Sequence, residues 1–200
     1  MKTELKSSIL NKIKTEKLKA FSCYDFTNLA SYKTISKCLE RMEDSGEITR
    51  IMQGVYCLFT IDKMLKLPIL PTIDDVANCL ARKHKWQICP SGNLALNIMG
   101  LSTQVPANYV YLSSGPYKEY TIYGIKVCFK RTTTREIVDY SYKTQLLIQC
   151  IKALGKDAVD GKVIDLLKNK LTPAEKEKAL RETLVTQTWI RNLIVAICGE

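Results

Sequence analysis

The sequence predicts an α+β protein: an N-terminal winged helix-turn-helix followed by a mixed domain with a small β-sheet and C-terminal helices. The first observation is the order of elements in residues 21–58, which read as short helix, turn, longer helix and β-hairpin. The second is a series of short β-rich runs between residues 86 and 129, and the third is a helical region from Ser141 onward. We predict two domains, 1–66 and 67–200.

The longer helix of residues 21–58 is predicted from hydrophobic periodicity. Four apolar residues recur at spacings of three and four, which puts them on one face of a helix. These residues are Ile35, Cys38, Leu39 and Met42. Ser31 or Thr34 can cap the start of this helix by accepting from free backbone N–H groups. Gly46 suits the left-handed conformation in which a chain leaves a helix.

The neighbouring elements complete the winged pattern. Residues 6–18 predict a first helix with an apolar face and lysines elsewhere. Phe26 and Leu29 give the short helix an apolar side, and the gap to the longer helix is only a few residues, which favours a steep crossing. Residues 47–51 and 55–58 are β-rich runs, and Gly54 between them supplies the positive φ that a tight turn needs.

Basic and hydroxyl side chains cluster in the first half of the longer helix, the end that helix-turn-helix proteins place in the major groove. The basic side chains can reach phosphates or guanine edges, the hydroxyls can position the helix on the backbone, and two hairpin residues can reach a neighbouring groove. The predicted DNA-binding residues are Ser31, Tyr32, Lys33, Thr34, Ser36, Lys37, Arg41, Arg50 and Gln53. The alternatives are an ordinary solvated helix face and a protein–protein module.

The net positive charge of the chain indicates a polyanionic partner but does not identify it. The chain has 200 residues, 46% of them hydrophobic, and a formal net charge of +10 that is spread along its length. Such an excess suits a polyanion: DNA, RNA or an acidic protein. The eight cysteines include no Cys-x-x-Cys pair and there is one histidine, so we predict no metal site. We see neither a signal peptide nor a membrane-spanning stretch and expect a cytoplasmic protein.

The region after residue 58 is predicted as a connector followed by a mixed domain. Pro68 and Pro71 disfavour helix, so residues 59–70 are expected to form a stiff extended link. Asp74 and Asp75 are placed at a helix start, where they complement the helix dipole. Four strands are then predicted, and a basic, hydroxyl-rich segment, Lys130–Arg135, has no assigned role. The strands are residues 86–89, 109–112, 120–123 and 125–129.

The last sixty residues are predicted to be helical. Thr172, Pro173 and Glu175 form a strong helix start, with a capping threonine, a proline in the first turn and a glutamate that bonds back. The final helix carries an apolar stripe that we interpret as core packing, with a partner surface as the alternative. The stripe consists of Trp189, Ile190, Leu193, Ile194 and Ile197.

We find no catalytic motif and predict no enzyme, no catalytic residue and no cofactor. The sequence contains no Walker A loop, no Gly-x-Gly-x-x-Gly and no Gly-x-Ser-x-Gly elbow. His84 is a lone histidine among basic residues, for which a structural role is the simpler interpretation. Ser91 beside Gly92 can begin a helix whose backbone amides hold an anion, but we favour an ordinary N-cap.

Residues 90–131 resemble a known family. The runs that carry the resemblance are Pro-Ser-Gly-Asn-Leu-Ala-Leu-Asn at 90–97, Gly-Leu-Ser-Thr-Gln-Val-Pro at 100–106, Tyr-Val-Tyr-Leu-Ser-Ser-Gly-Pro at 109–116 and Phe-Lys-Arg at 129–131. With the winged helix in front, the chain resembles the AbiEi-type antitoxins and related transcriptional regulators. The resemblance is firm over residues 21–136 and looser in the C-terminal helices.

The resemblance implies an antitoxin of a toxin–antitoxin system that acts in abortive infection against phage. In that family the winged helix binds inverted repeats upstream of its own operon, and the C-terminal domain neutralises a nucleotidyltransferase-like toxin. The implied partners are therefore double-stranded operator DNA and such a toxin, without an assumed direct contact. The resemblance carries over no catalytic residues.

Two other functions remain open from the sequence. One is a stand-alone transcriptional regulator whose second domain senses a ligand or a protein. The other is a nucleic-acid enzyme, which would need an acidic metal site. In the middle region only Asp74 and Asp75 are adjacent, and the other acidic residues available are widely spaced. These are Glu119 and Glu136.

Overall fold

The chain folds as a mixed α+β protein with two small β-sheets. The computed structural model describes residues 2–62, 64, 66–132 and 140–199, without the side chains of Lys2 and Thr3. Two compact units divide the chain, Met1–Trp86 and Gln87–Glu200. The α+β class expected from the sequence is therefore confirmed.

The first unit contains three α-helices, one 3-10 helix and one β-hairpin within its described residues. These elements are α1 (Lys2–Thr15), the 3-10 helix (Cys23–Phe26), α2 (Tyr32–Asp44), β1 (Ile48–Met52), β2 (Val55–Leu58) and α3 (Ile73–His84). The 3-10 helix and α2 are the short and longer helices expected from residues 21–58. Gly46, with φ of 73°, lies just beyond the end of α2, as the sequence predicted.

The core of the first unit forms on the predicted face of α2. Ile35, Leu39 and Met42 are buried, and Cys38 lies half-buried at the edge of the same cluster. Phe21 and Phe26 pack edge to face with ring centroids 5.7 Å apart. α1 contributes Ile9 and Ile13. Each such buried side chain adds about 1.5–3 kcal/mol to folding, so this one face fixes how α2 is oriented.

The hairpin β1–β2 is antiparallel and gains a third pairing partner. Gly54 has φ of 72° in the turn, and the register shifts between Arg50 and Met52, which marks a bulge. Phe21 pairs with Tyr56 of β2 through two backbone hydrogen bonds of 2.9 Å and 2.8 Å. The chain just before the 3-10 helix is thereby tied to the hairpin.

The connector after β2 differs from its prediction. It folds back on itself: Ile61 bridges Pro68, the Asp62 N–H donates to the Leu67 carbonyl at 2.8 Å, and the Ile69 N–H donates to Thr60 at 2.8 Å. The expected stiff extended link is therefore wrong. Its prolines exclude helix, but a proline is tolerated in an irregular pairing that does not need its missing N–H.

The helix α3 packs within the first unit. Its Arg82 donates to the Asp25 carboxylate at 2.7 Å and to the Ala20 carbonyl at 2.8 Å. Its start is a capping box in which Thr72 and Asp75 bond each other's backbone N–H groups, so capping does explain Asp75. The division of the chain consequently falls after Trp86, whereas we predicted it between residues 66 and 67.

The second unit contains a mixed four-stranded sheet. Its strands are β3 (Ile88–Pro90), β4 (Asn108–Ser113), β5 (Lys118–Ile122) and β6 (Ile125–Arg131). The strand order is β3-β4-β6-β5; β4 and β6 are parallel and the other pairs antiparallel. Tyr123 and Gly124 both have positive φ, which matches the twist of a two-residue hairpin between β5 and β6. The four predicted strands are confirmed, with shifted ends.

Helices account for most of the remaining described residues of this unit. They are α4 (Asn93–Ile98), α5 (Tyr142–Leu154), a 3-10 turn (Lys156–Ala158), α6 (Gly161–Asn169), α7 (Pro173–Glu182) and α8 (Thr188–Cys198). The predicted capping box of Thr172 and Glu175 is present at the start of α7. Ile190, Ile194 and Ile197 of α8 are buried in the core, which confirms the stripe as core packing. None of the helices in the described part of the chain has the length and apolar character that crossing a membrane requires.

Candidate functional site

The exposed side of α2 carries most of the residues predicted to contact DNA. Burial of its apolar face leaves Tyr32, Lys33, Lys37 and Arg41 exposed or half-exposed, while Ser36 is half-buried. Lys33, Lys37 and Arg41 follow one another at intervals of four residues, so their side chains form one row along the helix. The structure therefore brings together the three basic residues that were predicted from periodicity. We call Lys33, Lys37 and Arg41 the basic row.

The basic row differs from the ion-paired cations of the first unit in having no carboxylate partner among the described residues. Elsewhere in the unit Lys6 lies 2.6 Å from Glu47, and Arg82 lies 2.7 Å from Asp25. Side chains without an internal partner keep their charge available for an external anion. Three such cations in one row form a surface that can receive phosphates.

The hydroxyls at the start of α2 serve the helix itself. Ser31 is the N-cap: its Oγ accepts from the Thr34 N–H at 3.4 Å and lies 2.8 Å from the Thr34 hydroxyl. Both residues are exposed, so each hydroxyl retains capacity for a further hydrogen bond. Their first role is to fix the end of α2 from which the basic row begins.

An exposed aromatic pair adjoins the same end of the helix. Tyr24 of the 3-10 helix and Tyr32 of α2 have ring centroids 5.3 Å apart and are 48% and 51% exposed. Desolvation and neighbouring Cys23 raise the pKa of Tyr32, so its hydroxyl remains a neutral hydrogen-bond donor at physiological pH. Sequence reasoning missed Tyr24, because the fold and not the sequence spacing brings it to Tyr32.

The two predicted hairpin residues, Arg50 and Gln53, lie in the hairpin, and Arg50 has a partner that the sequence did not predict. Arg50 donates to the Glu43 carboxylate at 2.7 Å and lies 5.4 Å from the Tyr56 ring centroid; the hydrogen bond to Glu43 raises the pKa of Arg50. Glu43 is ten residues beyond Lys33 on α2, a separation of about 15 Å along the helix axis. The structure therefore holds Arg50 at the far end of α2 and does not bring it to the start of the basic row.

Gln53 lies at the tip of the hairpin and is exposed. Its carbonyl accepts from the Lys83 ammonium at 3.3 Å, and Lys83 also lies against Gly54, where a Cβ would come within 3.1 Å of its Nζ. α3 thus supplies a cation to the hairpin turn. The sequence offered no signal for this contact, since Lys83 was assigned to the second domain.

The remaining titratable residues form no metal centre in the part of the chain that the structure describes. His84 stacks on Trp86 with ring centroids 4.6 Å apart, and Asp75 belongs to the capping box of α3. α4 is capped by Gly92, and Ser91 instead donates to Gln149 at 3.2 Å. Residues 133–136, which include Glu136 and the end of the Lys130–Arg135 segment, lie outside the described residues.

Comparison with known proteins assigns the chain to a family. A search of the curated proteins found no match. A family model matches residues 8–180, a span that includes α2, the hairpin β1–β2, the four-stranded sheet and the helices from α4 to most of α7. The model carries the description "Family of unknown function (DUF6088)", and because it covers more than half of the chain, the protein belongs to the DUF6088 family.

Proposed function

We propose that the protein is a DNA-binding antitoxin that represses its own operon through a winged helix in its first unit. The observation that carries this proposal is the basic row, which has no carboxylate partner among the described residues of the unit. In helix-turn-helix proteins the N-terminal half of the recognition helix enters the major groove, and α2 has Lys33 and Lys37 in that half.

The arrangement around α2 supports the winged-helix assignment. A short helix precedes α2, a hairpin follows it, and Phe21 pairs with β2 at the start of the segment. Lys83 holds the carbonyl of Gln53, so the hairpin tip is stabilised from α3. A stabilised tip loses less conformational entropy when it contacts a second groove or the phosphate backbone.

The charge distribution along α2 orients the proposed contact. Lys33 and Lys37 carry positive charge in the N-terminal half, while Glu43 near the other end is neutralised by Arg50. Glu40 and Asp44 also lie in the C-terminal half of the helix, so we expect the closest approach of DNA at its beginning. Each lysine that neutralises a phosphate releases counterions and makes binding more sensitive to salt.

The antitoxin half of the proposal rests on the resemblance of residues 90–131 to AbiEi-type antitoxins. On this account the second unit neutralises a nucleotidyltransferase-like toxin whose gene adjoins this one. The Asn97 amide donates to the carbonyls of Ser102 and Gln104 at 3.2 Å and 3.1 Å, so the Gly-Leu-Ser-Thr-Gln-Val-Pro run is held in a defined loop. That loop is the first place to seek the neutralising surface.

Autorepression is tested with a reporter gene behind the chain's own upstream DNA. We expect the wild-type protein to repress the reporter and the double variant Lys33→Ala/Lys37→Ala to relieve most of that repression, because two phosphate contacts are removed. The matched control is Lys156→Ala/Lys162→Ala, which removes the same charge from the second unit. An equal effect of both variants would contradict the assignment of α2 as the recognition helix.

Neutralisation is tested by co-expressing the chain with a nucleotidyltransferase-like gene from its own neighbourhood. Growth rescue by both the wild-type protein and Lys33→Ala/Lys37→Ala would support an antitoxin whose two activities lie in different units. Repression of the reporter without any rescue would support the stand-alone regulator instead.

A further inference from the structure

A pocket of about 370 Å³ lies in the first unit, between the C-terminal end of α1 and the connector that follows β2. Its inner side is formed by Ile13, which belongs to the core of the unit, and by Leu18 and Leu58, which pack against that core. Its outer side is formed by Ile69 and Leu70, which remain 51% and 49% exposed. The pocket is therefore an apolar opening that reaches the edge of the core.

The same pocket has lysines at its rim. Lys14, Lys17 and Lys19 line it, and none of the described residues that line it is acidic. Lys19 lies 3.7 Å from Asp75, whereas Lys14 and Lys17 have no carboxylate partner in the described part of the chain. Lysines are common at a helix C-terminus, where they complement its dipole. What distinguishes these three lysines is that they line an apolar space.

We propose that this pocket binds a small amphiphilic anion: a molecule with an apolar body and one carboxylate or phosphate head, taken up as a free molecule. The volume is in the range of pockets that hold small ligands, which combine a mostly apolar lining with a few placed polar groups. The apolar body would cover Ile13, Leu58 and Leu70, and the head would remain at the rim near Lys14 and Lys17. A second copy of this chain is a poor occupant, because each copy carries +10.

This site is separate from the proposed DNA contact, since no residue of the basic row lines it. The two proposals can therefore fail independently. Ile13 nevertheless packs in the same core as Ile35 of α2, so occupancy of the pocket should be visible at a core methyl group.

The test is titration of the full chain with decanoate below its micelle concentration, followed through the δ1-methyl NMR signals of Ile13 and Ile69. We expect saturable shifts of both signals. Decyltrimethylammonium has the same tail with the opposite charge and should bind at least about tenfold more weakly, since the lysines repel it. Acetate, which has the head without the tail, should give no saturable shift.

Two variants localise the binding. Leu70→Glu places a negative charge in the pocket at a half-exposed position, and Lys14→Glu reverses one rim charge on the exposed side of α1. We expect each to weaken decanoate binding by about tenfold or more. Lys162→Glu makes the same change of net charge as Lys14→Glu in the other unit and should leave the affinity unchanged.

The proposal is overturned if the ammonium analogue binds as tightly as decanoate, or if Leu70→Glu and Lys14→Glu bind decanoate as the wild-type protein does. It is also overturned if the protein associates only with decanoate micelles or phosphatidylglycerol vesicles, because the surface would then recognise a lipid assembly and not a free molecule.

Discussion

At the scale of residues, the cations of the first unit fall into two groups with different tasks. Arg82 is shared between the Asp25 carboxylate and the Ala20 carbonyl, and the Asp25 side chain is only 6% exposed. Lys33 and Lys37 lie on the open side of α2 without a carboxylate partner among the described residues. The first kind of cation stabilises the fold, and the second kind remains available for a ligand.

Replacing Arg82 with alanine should destabilise the first unit by about 1.5–3 kcal/mol, because a nearly buried carboxylate is left without its charged partner. Arg50→Ala is the matched control: its ion pair with Glu43 is partly exposed, with side chains 47% and 28% exposed, and should contribute less than about 1 kcal/mol. Hydrogen exchange of the α2 amides measures both changes within this unit. Equal effects of the two variants would contradict the greater contribution that we assign to the ion pair of the nearly buried Asp25.

At the scale of elements, the sequence predicted correctly those features that depend on the residues of a single helix. The face of α2, the stripe of α8 and the capping box at Thr172 are properties of single helices, and all three are present. The packing of α3 in the first unit and the fold-back of the connector depend on contacts between distant residues. Neither Arg82 nor Ile69 carries a local signal of its partner, so both features escaped prediction.

In the candidate site, too, residues placed by a single helix were predicted, and contacts between distant residues were missed. Lys33, Lys37 and Arg41 were found because their spacing is a property of one helix. Tyr24 and Lys83 were missed because they reach α2 and the hairpin only through the fold. Arg50 lies on the hairpin as predicted, but its pairing with Glu43 was missed because it depends on the packing of β1 against α2.

One contact between helices has a defined pH dependence. Burial by itself raises the pKa of Glu182, but hydrogen bonds from Thr144 and Ser141 outweigh it, and the pKa of Glu182 is lowered in the fold. The Ser141 N–H and hydroxyl both donate to this carboxylate of α7 at 2.9 Å, which joins α7 to the start of α5. A lowered pKa gives stability above the ordinary value of the carboxyl group, and this stability declines as pH falls through the folded value.

We therefore expect the stability advantage of the wild-type protein over Glu182→Gln to be full at about pH 7 and to decline in acid, below the ordinary glutamate pKa of about 4.3. The measurement is the urea midpoint of both proteins across that pH range, followed by a probe in the second unit such as Trp189. An advantage that grows as the pH falls would contradict the sign of this pKa shift.

At the scale of the whole molecule, the chain consists of two compact units, each with its own buried cluster. The first unit ends after α3, so its folding should require residues up to Trp86. A fragment of residues 1–86 should therefore unfold cooperatively. A fragment of residues 1–66 lacks Arg82 and Lys83 and should be markedly less stable.

Thermal melting of the two fragments, followed by far-ultraviolet circular dichroism, tests this expectation. Equal melting temperatures would show that α3 contributes nothing to the first unit. That result would restore the boundary between residues 66 and 67 that the sequence suggested.

The central proposal is that the basic row of α2 binds DNA in a sequence-selective complex. It is tested most directly by fluorescence anisotropy of the full chain on its own upstream DNA and on a scrambled duplex, over a salt series, with Lys33→Ala/Lys37→Ala measured in parallel. We expect selective binding to the upstream DNA and a slope of log K against log salt that falls by about one for each phosphate that the variant no longer neutralises. Equal, weak binding to both duplexes, with the same slope for wild type and variant, would mean that the net charge of +10 alone attracts DNA and would contradict the claim.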